Sequence, residues 1–206
     1  MLGQYLSRLN LEFDAVYCGS LQRHQQTAGR VKHIFQTEGI SFPKPIVDSR
    51  LNELHDDEIF SAVAPTLAKH DVTIAKWLQQ ASDNKKVRQK LLKACFHLWQ
   101  NIPADLADEF ESWTHFCQRV DEMIAEIQAR HQSNKTIALF TSAGVIARCI
   151  QLSLQLPDSS TYSVLEPLTN ASVSTCFYGA HELRLHFYND HSYLTVLSDK
   201  NCITYR

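Results

Sequence analysis

The 206-residue chain has no long apolar run, no marked excess of either charge and no paired cysteine motif, and each absence removes a class of function. No stretch approaches the roughly 18 uninterrupted apolar residues of a membrane-spanning helix. Met1 is followed by polar and charged residues rather than by a basic start and an apolar run, so neither export nor anchoring is expected and the expected location is cytoplasmic. Lysine and arginine total 20 against 22 acidic residues, which leaves no broad cationic surface for nucleic acid or anionic lipid. Any phosphate handling must therefore be local. The six cysteines (Cys18, Cys95, Cys117, Cys149, Cys176 and Cys202) contain no CxxC pair, and reduced thiols are the expectation. The ten histidines form no HExxH or comparable ligand spacing, and Thr141-Ser142-Ala143-Gly144 lacks the GxSxG elbow of serine hydrolases. No metal or other cofactor is expected.

What is present is one substantial core's worth of residues, 44% hydrophobic and 20% charged, without internal repeat or low-complexity linker. A single domain over residues 1–206 is expected. Leu2, Tyr5, Leu6 and Leu9 recur at helical spacing from the first residues, with no capping residue before them. Phe13–Tyr17 is a short β-prone run that stops at Cys18-Gly19-Ser20, where Ser20 can cap a helix reaching about Phe35. Ile46-Val47 follows the breakers Pro43 and Pro45 as a second extended piece.

From Asp56 to about Ala107 the pattern is helical without strands, with Val87, Leu91, Cys95, Leu98 and Trp99 on one face, and reads as an insertion over the sheet edge. Phe110 to Ile127 marks a long amphipathic helix ending near Arg130-His131. Thr136–Phe140 is a continuous apolar run typical of a strand buried on both faces of a parallel sheet. It turns at Thr141–Gly144 into a further helix, and strands follow near Ser172–Tyr178 and Leu183–Phe187. The predicted class is α/β, a three-layer αβα arrangement with a mostly parallel central sheet and a helical insertion over about 56–107.

In an open α/β sheet, ligands collect at the carboxyl ends of strands, where helix N-termini favour anions. Three segments fall there: Ser20–Arg23, Arg50–Glu53 and Thr141–Gly144. Read alone, Arg23 is an exposed helix-start arginine, Glu53 a surface carboxylate near a loop, and Ser142 a helix cap.

Together the segments resemble the histidine phosphatase, or phosphoglycerate mutase-like, superfamily. Tyr17-Cys18-Gly19-Ser20-Leu21-Gln22-Arg23-His24-Gln25-Gln26-Thr27-Ala28 is similar to its strand, serine turn and Leu-x-Arg-x-x-x-Thr-Ala helix. Arg50-Leu51-Asn52-Glu53 resembles the stretch carrying its proton donor, and Leu139–Ile146 its strand and Ser-His-Gly-Gly turn. Asn170–Val173 and Asn189–His191 with Leu194 resemble later segments, so the likeness runs from about Met1 to Leu194.

The resemblance implies that Arg23, Ser142 and Ser20 bind phosphate, that Glu53 is the catalytic acid, and that His55 and Ala143 are candidate substrate contacts. The implied ligand is a phosphorylated small molecule or a phosphopeptide. Two departures matter. Ser142 stands where the family's second histidine belongs, and the 206 residues contain no Arg-His-Gly, the family's central strand end with the phosphoryl-accepting histidine. His24, beside Arg23 on a helix, is not expected to replace that nucleophile. A strand preceding Met1 would account for the uncapped start, and on this reading an in-frame Arg-His-Gly lies upstream. The expected function is a phosphomonoester phosphatase or mutase acting through phosphohistidine where that segment exists. The alternative is an inactive phosphate-binding or scaffold protein of the same fold.

Overall fold

A computed structural model describes residues 1–102, 110–131, 134–197 and 204. In chain order the elements are α1 (Leu2–Arg8), β1 (Ala15–Cys18), α2 (Gln22–Thr37), β2 (Ile46–Val47), α3 (Asp56–His70), α4 (Val72–Gln80) and α5 (Lys85–Asn101). There follow α6 (Trp113–Arg130), β3 (Ile137–Phe140), α7 (Ala143–Leu154), α8 (Thr161–Leu165), β4 (Val173–Tyr178), β5 (Leu183–Asp190) and α9 (Ser192–Leu197). The expected helical insertion is α3 to α5, and its last stretch toward Ala107 lies outside the described residues.

The central sheet is parallel, in the order β2-β1-β3, with Tyr17 opposite both Ile46 and Leu139 and Cys18 opposite both Val47 and Phe140. Strand alternation sorts its side chains into two cores. Ala15 and Tyr17 of β1, with Ile137 and Leu139 of β3, face a large core shared with α6, α7 and the α3–α5 insertion. Val16, Cys18, Ala138 and Phe140 face a smaller one formed by α1 and α2. That is the three-layer arrangement, with the sheet in the middle.

The insertion continues the larger core. Trp99 of α5 is fully buried among Phe96, Trp113 and Phe116, with ring centroids 5.2 to 6.0 Å apart, and its indole N–H donates to the Glu111 carbonyl at 2.7 Å. Asp71 and Asn84 cap α4 and α5 by accepting backbone N–H bonds. On α5 the buried face is Leu91, Cys95, Phe96 and Trp99, whereas Val87 and Leu98 are only partly covered.

β3 has a core on each face, as expected, but three of its four residues are only half-buried, because among the described residues it pairs with β1 alone. The two late strands expected near Ser172–Tyr178 and Leu183–Phe187 are β4 and β5, which form an antiparallel pair. This pair lies beside β3: Val173 packs on the smaller core, and the Tyr178 hydroxyl donates to the Lys135 carbonyl at 3.2 Å. Tyr5 of α1 stacks on Tyr193 of α9 with centroids 4.5 Å apart and donates to Asp190 at 2.7 Å, fastening the first helix to the end of β5.

Candidate phosphate site at the carboxyl ends of β1 and β3

Where β1 ends, the Gly19 N–H donates to the Phe140 carbonyl at 3.1 Å, so the turns after β1 and β3 start side by side. A Cβ on Gly19 would lie 2.2 Å from His24 Nδ1 and 2.8 Å from Asn52 Oδ1, a space that only glycine leaves open. Asn52 fixes the turn. Its Oδ1 accepts from the N–H groups of Ser20 at 2.7 Å and Leu21 at 3.3 Å, and its Nδ2 donates to Ser20 Oγ at 2.8 Å. Ser20 therefore does not cap α2: Leu21 holds the N-cap position, and the Ser20 hydroxyl is engaged by Asn52.

After β3, Thr141 Oγ1 donates to the Leu51 carbonyl at 2.6 Å, joining this turn to the segment that carries Glu53. Ser142 is the N-cap residue of α7, yet its side chain makes no cap bond. Glu53 does that work instead, its Oε1 accepting from Gly144 N–H at 2.9 Å and Leu54 N–H at 3.1 Å. A Cβ on Gly144 would sit 2.4 Å from that oxygen. Glu53 is 4% exposed. Arg119 braces the segment from α6, donating to the carbonyls of Arg50 at 2.8 Å and Asn52 at 2.9 Å while paired with Glu111.

Ser142 Oγ meets two side chains from α2. Arg23 Nε lies at 3.4 Å and His24 Nε2 at 2.5 Å. Arg23 is exposed, and among the described residues no carboxylate pairs with it. His24 is only 3% exposed, its Nδ1 has no partner among the described residues, and its pKa is lowered to about 4, first by burial and second by the Arg23 charge. The imidazole is neutral at physiological pH.

The fold thus brings Arg23, Ser142 and Glu53 to one rim, with Ser20 joined through Asn52 and Ala143 as the first residue of α7. His55 is exposed at the N-cap position of α3, its Nδ1 facing Glu58 at 3.2 Å. Sequence reasoning passed over His24 as a site residue. The signal was available: His24, Ala28, Val31 and Phe35 recur at helical spacing, and they are the buried face of α2. A separate cavity of about 400 Å3 is lined by Trp113, Cys117, Asp121, Arg148 and Asp158, but there Asp121 already holds Arg148 at 2.6 Å. No group of three or more metal-ligating side chains occurs among the described residues.

Among solved structures, the phosphoglycerate mutase from Bacillus anthracis str. Sterne is 18% identical with a TM-score of 0.62, covering 94% of this chain and 79% of its own. The alpha-ribazole phosphatase from Shigella flexneri is 19% identical with a TM-score of 0.55, over 92% and 80% respectively. A mycobacterial glucosyl-3-phosphoglycerate phosphatase in complex with inorganic phosphate is 17% identical with a TM-score of 0.56, over 92% and 82%. No curated protein matches the chain. These likenesses are of fold, and a family profile covers nearly all of the sequence, residues 1–191: the chain belongs to the histidine phosphatase superfamily (branch 1).

Proposed function

We propose that the rim between β1 and β3 binds the phosphoryl group of a phosphomonoester, with Arg23 as its cation and the start of α7 and Ser142 as further donors. The observation that carries this reading is Arg23 Nε at 3.4 Å from Ser142 Oγ, 119 residues apart in sequence and beside a helix N-terminus, with no carboxylate on Arg23 among the described residues. A guanidinium left without a counterion at a helix start suits a tetrahedral anion. Neighbours of the same fold are named for phosphoglycerate and glucosyl-3-phosphoglycerate, which supports a phosphorylated small molecule over a phosphopeptide.

Turnover through phosphohistidine requires an Arg-His-Gly strand in addition to these residues. Where the protein carries one, the edge of β3 that pairs with no strand among the described residues suits its placement next to Ser142. Glu53 then serves as proton donor to the leaving oxygen. Its Oε1 accepts from the Leu54 and Gly144 N–H groups, which fixes the carboxyl beside the start of α7. The second reading, a phosphate-binding or scaffold protein without turnover, draws on Ser142 in place of a histidine, because a hydroxyl cannot supply imidazolium charge.

Calorimetry with orthophosphate tests the site. Binding that disappears in Arg23→Ala supports it, and unchanged affinity rules it out. Hydrolysis of p-nitrophenyl phosphate by protein isolated from its native cells, with its intact mass, separates the two readings. A species longer than 23.5 kDa that bears Arg-His-Gly and turns over substrate supports the enzyme; binding without turnover supports the alternative.

A further inference from the structure

We propose that His24 is a positioning residue that makes the Ser142 hydroxyl a hydrogen-bond donor aimed at a phosphoryl oxygen, an imidazole delivered from α2 to the place where the family carries a histidine on the β3 turn. The inference rests on the phosphate reading of the rim and deepens it.

The neutral ring of His24 carries one N–H. On Nδ1 that proton would be a buried donor without a partner among the described residues, which is costly. On Nε2 it meets Ser142 Oγ at 2.5 Å. A bare Nδ1 acceptor is the milder fault, since orphaned N–H groups are rarer in interiors than under-satisfied acceptors. Nε2–H therefore donates and Ser142 Oγ accepts. Arg23 Nε–H approaches the same oxygen at 3.4 Å. A serine hydroxyl has two lone pairs and one proton. With both lone pairs engaged, the proton is what Ser142 still offers, and it points away from His24 and Arg23.

Three features of the backbone agree with this assignment. Gly19 lacks the Cβ that would strike the ring at 2.2 Å from Nδ1. Ser142, though the N-cap residue, makes no cap bond with its hydroxyl. Glu53 caps α7 in its stead by accepting from the Gly144 N–H, so that backbone donor does not compete for the Ser142 oxygen. The site then holds one fixed cation and one neutral oriented donor, in place of a second positive charge.

The test uses the full chain. Side-chain 15N resonances of His24 are expected to show the Nε2-protonated tautomer, before and after addition of orthophosphate. The Nδ1-protonated tautomer overturns the proposal, because Ser142 would then be giving its proton to His24. Calorimetry with orthophosphate supplies the second arm. His24→Leu is expected to weaken binding roughly five- to tenfold, and His24→Gln, which keeps an N–H near the Nε2 position, to bind within about twofold of the original. His24→Leu combined with Ser142→Ala should be no weaker than Ser142→Ala alone. Equal loss in the Gln and Leu variants, or unchanged affinity in both, overturns it. If the unaltered chain does not bind orthophosphate, or binds it equally in Arg23→Ala, the phosphate reading itself fails, and the tautomer still reports the His24–Ser142 geometry.

Discussion

The aromatic layer between α5 and α6 and the polar rim at the ends of β1 and β3 are held by opposite means. In the layer, Trp99, Phe96, Trp113 and Phe116 fill space by size, and the indole N–H groups of Trp99 and Trp113 anchor them on the Glu111 carbonyl and Asp158. At the rim, closeness comes from missing atoms. Gly19 and Gly144 leave room that a Cβ would close, and Asn52, Glu53 and Thr141 tie three loops together by bonds to backbone groups. The layer contributes stability through burial. Among the described residues the rim holds an exposed cation without a carboxylate partner and a buried imidazole with an unpartnered nitrogen, and the second of these costs stability, which points to function.

If the contrast holds, changes in the layer shift unfolding and leave orthophosphate affinity alone, and changes at the rim shift affinity with at most small effects on unfolding. The largest effect is Trp99→Ala, expected to cost about 3–5 kcal/mol in urea unfolding, with orthophosphate affinity unaltered in the fraction that stays folded. Loss of affinity with little loss of stability would break the contrast.

Next comes pH. His24 has a folded pKa of about 4 against an ordinary 6.5, so the unfolded chain binds the extra proton first. Stability is full above 6.5 and falls by at most roughly 3 kcal/mol as pH drops toward 4, below which both states carry the proton. Urea midpoints across this window should fall in the unaltered chain and much less in His24→Gln. Asp48, held low by Arg50, and Asp190, held low by its bond from Tyr5, weaken the fold only at more acidic pH, where their carboxylates take up protons.

Arg23→Ala follows, with orthophosphate affinity expected to fall by about ten- to a hundredfold, the loss of charge-assisted hydrogen bonds, and with an unchanged urea midpoint because the side chain is exposed. The smallest effect is Thr141→Val, which removes the bond to the Leu51 carbonyl. It should cost about 1 kcal/mol of stability and a modest loss of affinity, seen by the same two measurements.

Much of this arrangement is legible in the residue pattern. The apolar stripe from Phe110 to Ile127 yields α6, which begins at Trp113 after its Ser112 cap, and the run at Thr136–Phe140 followed by Thr141–Gly144 yields β3 and the start of α7. Arg23, Glu53 and Ser142 are readable because each follows a strand or a short turn in a fixed motif. What escaped depends on contacts across the chain. Asn52 takes over the capping of the β1 turn from Ser20, and Glu53 that of α7 from Ser142; no local pattern announces a cap supplied from about 30 or 90 residues away. The partial exposure of β3 is also nonlocal, since an apolar run does not say how many neighbours a strand has. His24 is the instructive case. Weighed only as a nucleophile beside Arg23, it is set aside, whereas its phase with Ala28, Val31 and Phe35 places it inward.

The most direct test of the central claim is a titration of the 15N-labelled chain with orthophosphate, followed through the backbone amides of Gly19–Leu21 and Ser142–Gly144. Both segments should shift together with one affinity, and neither should shift in Arg23→Ala. Shifts confined to residues elsewhere, or equal shifts in both segments without Arg23, would contradict a phosphate site at this rim.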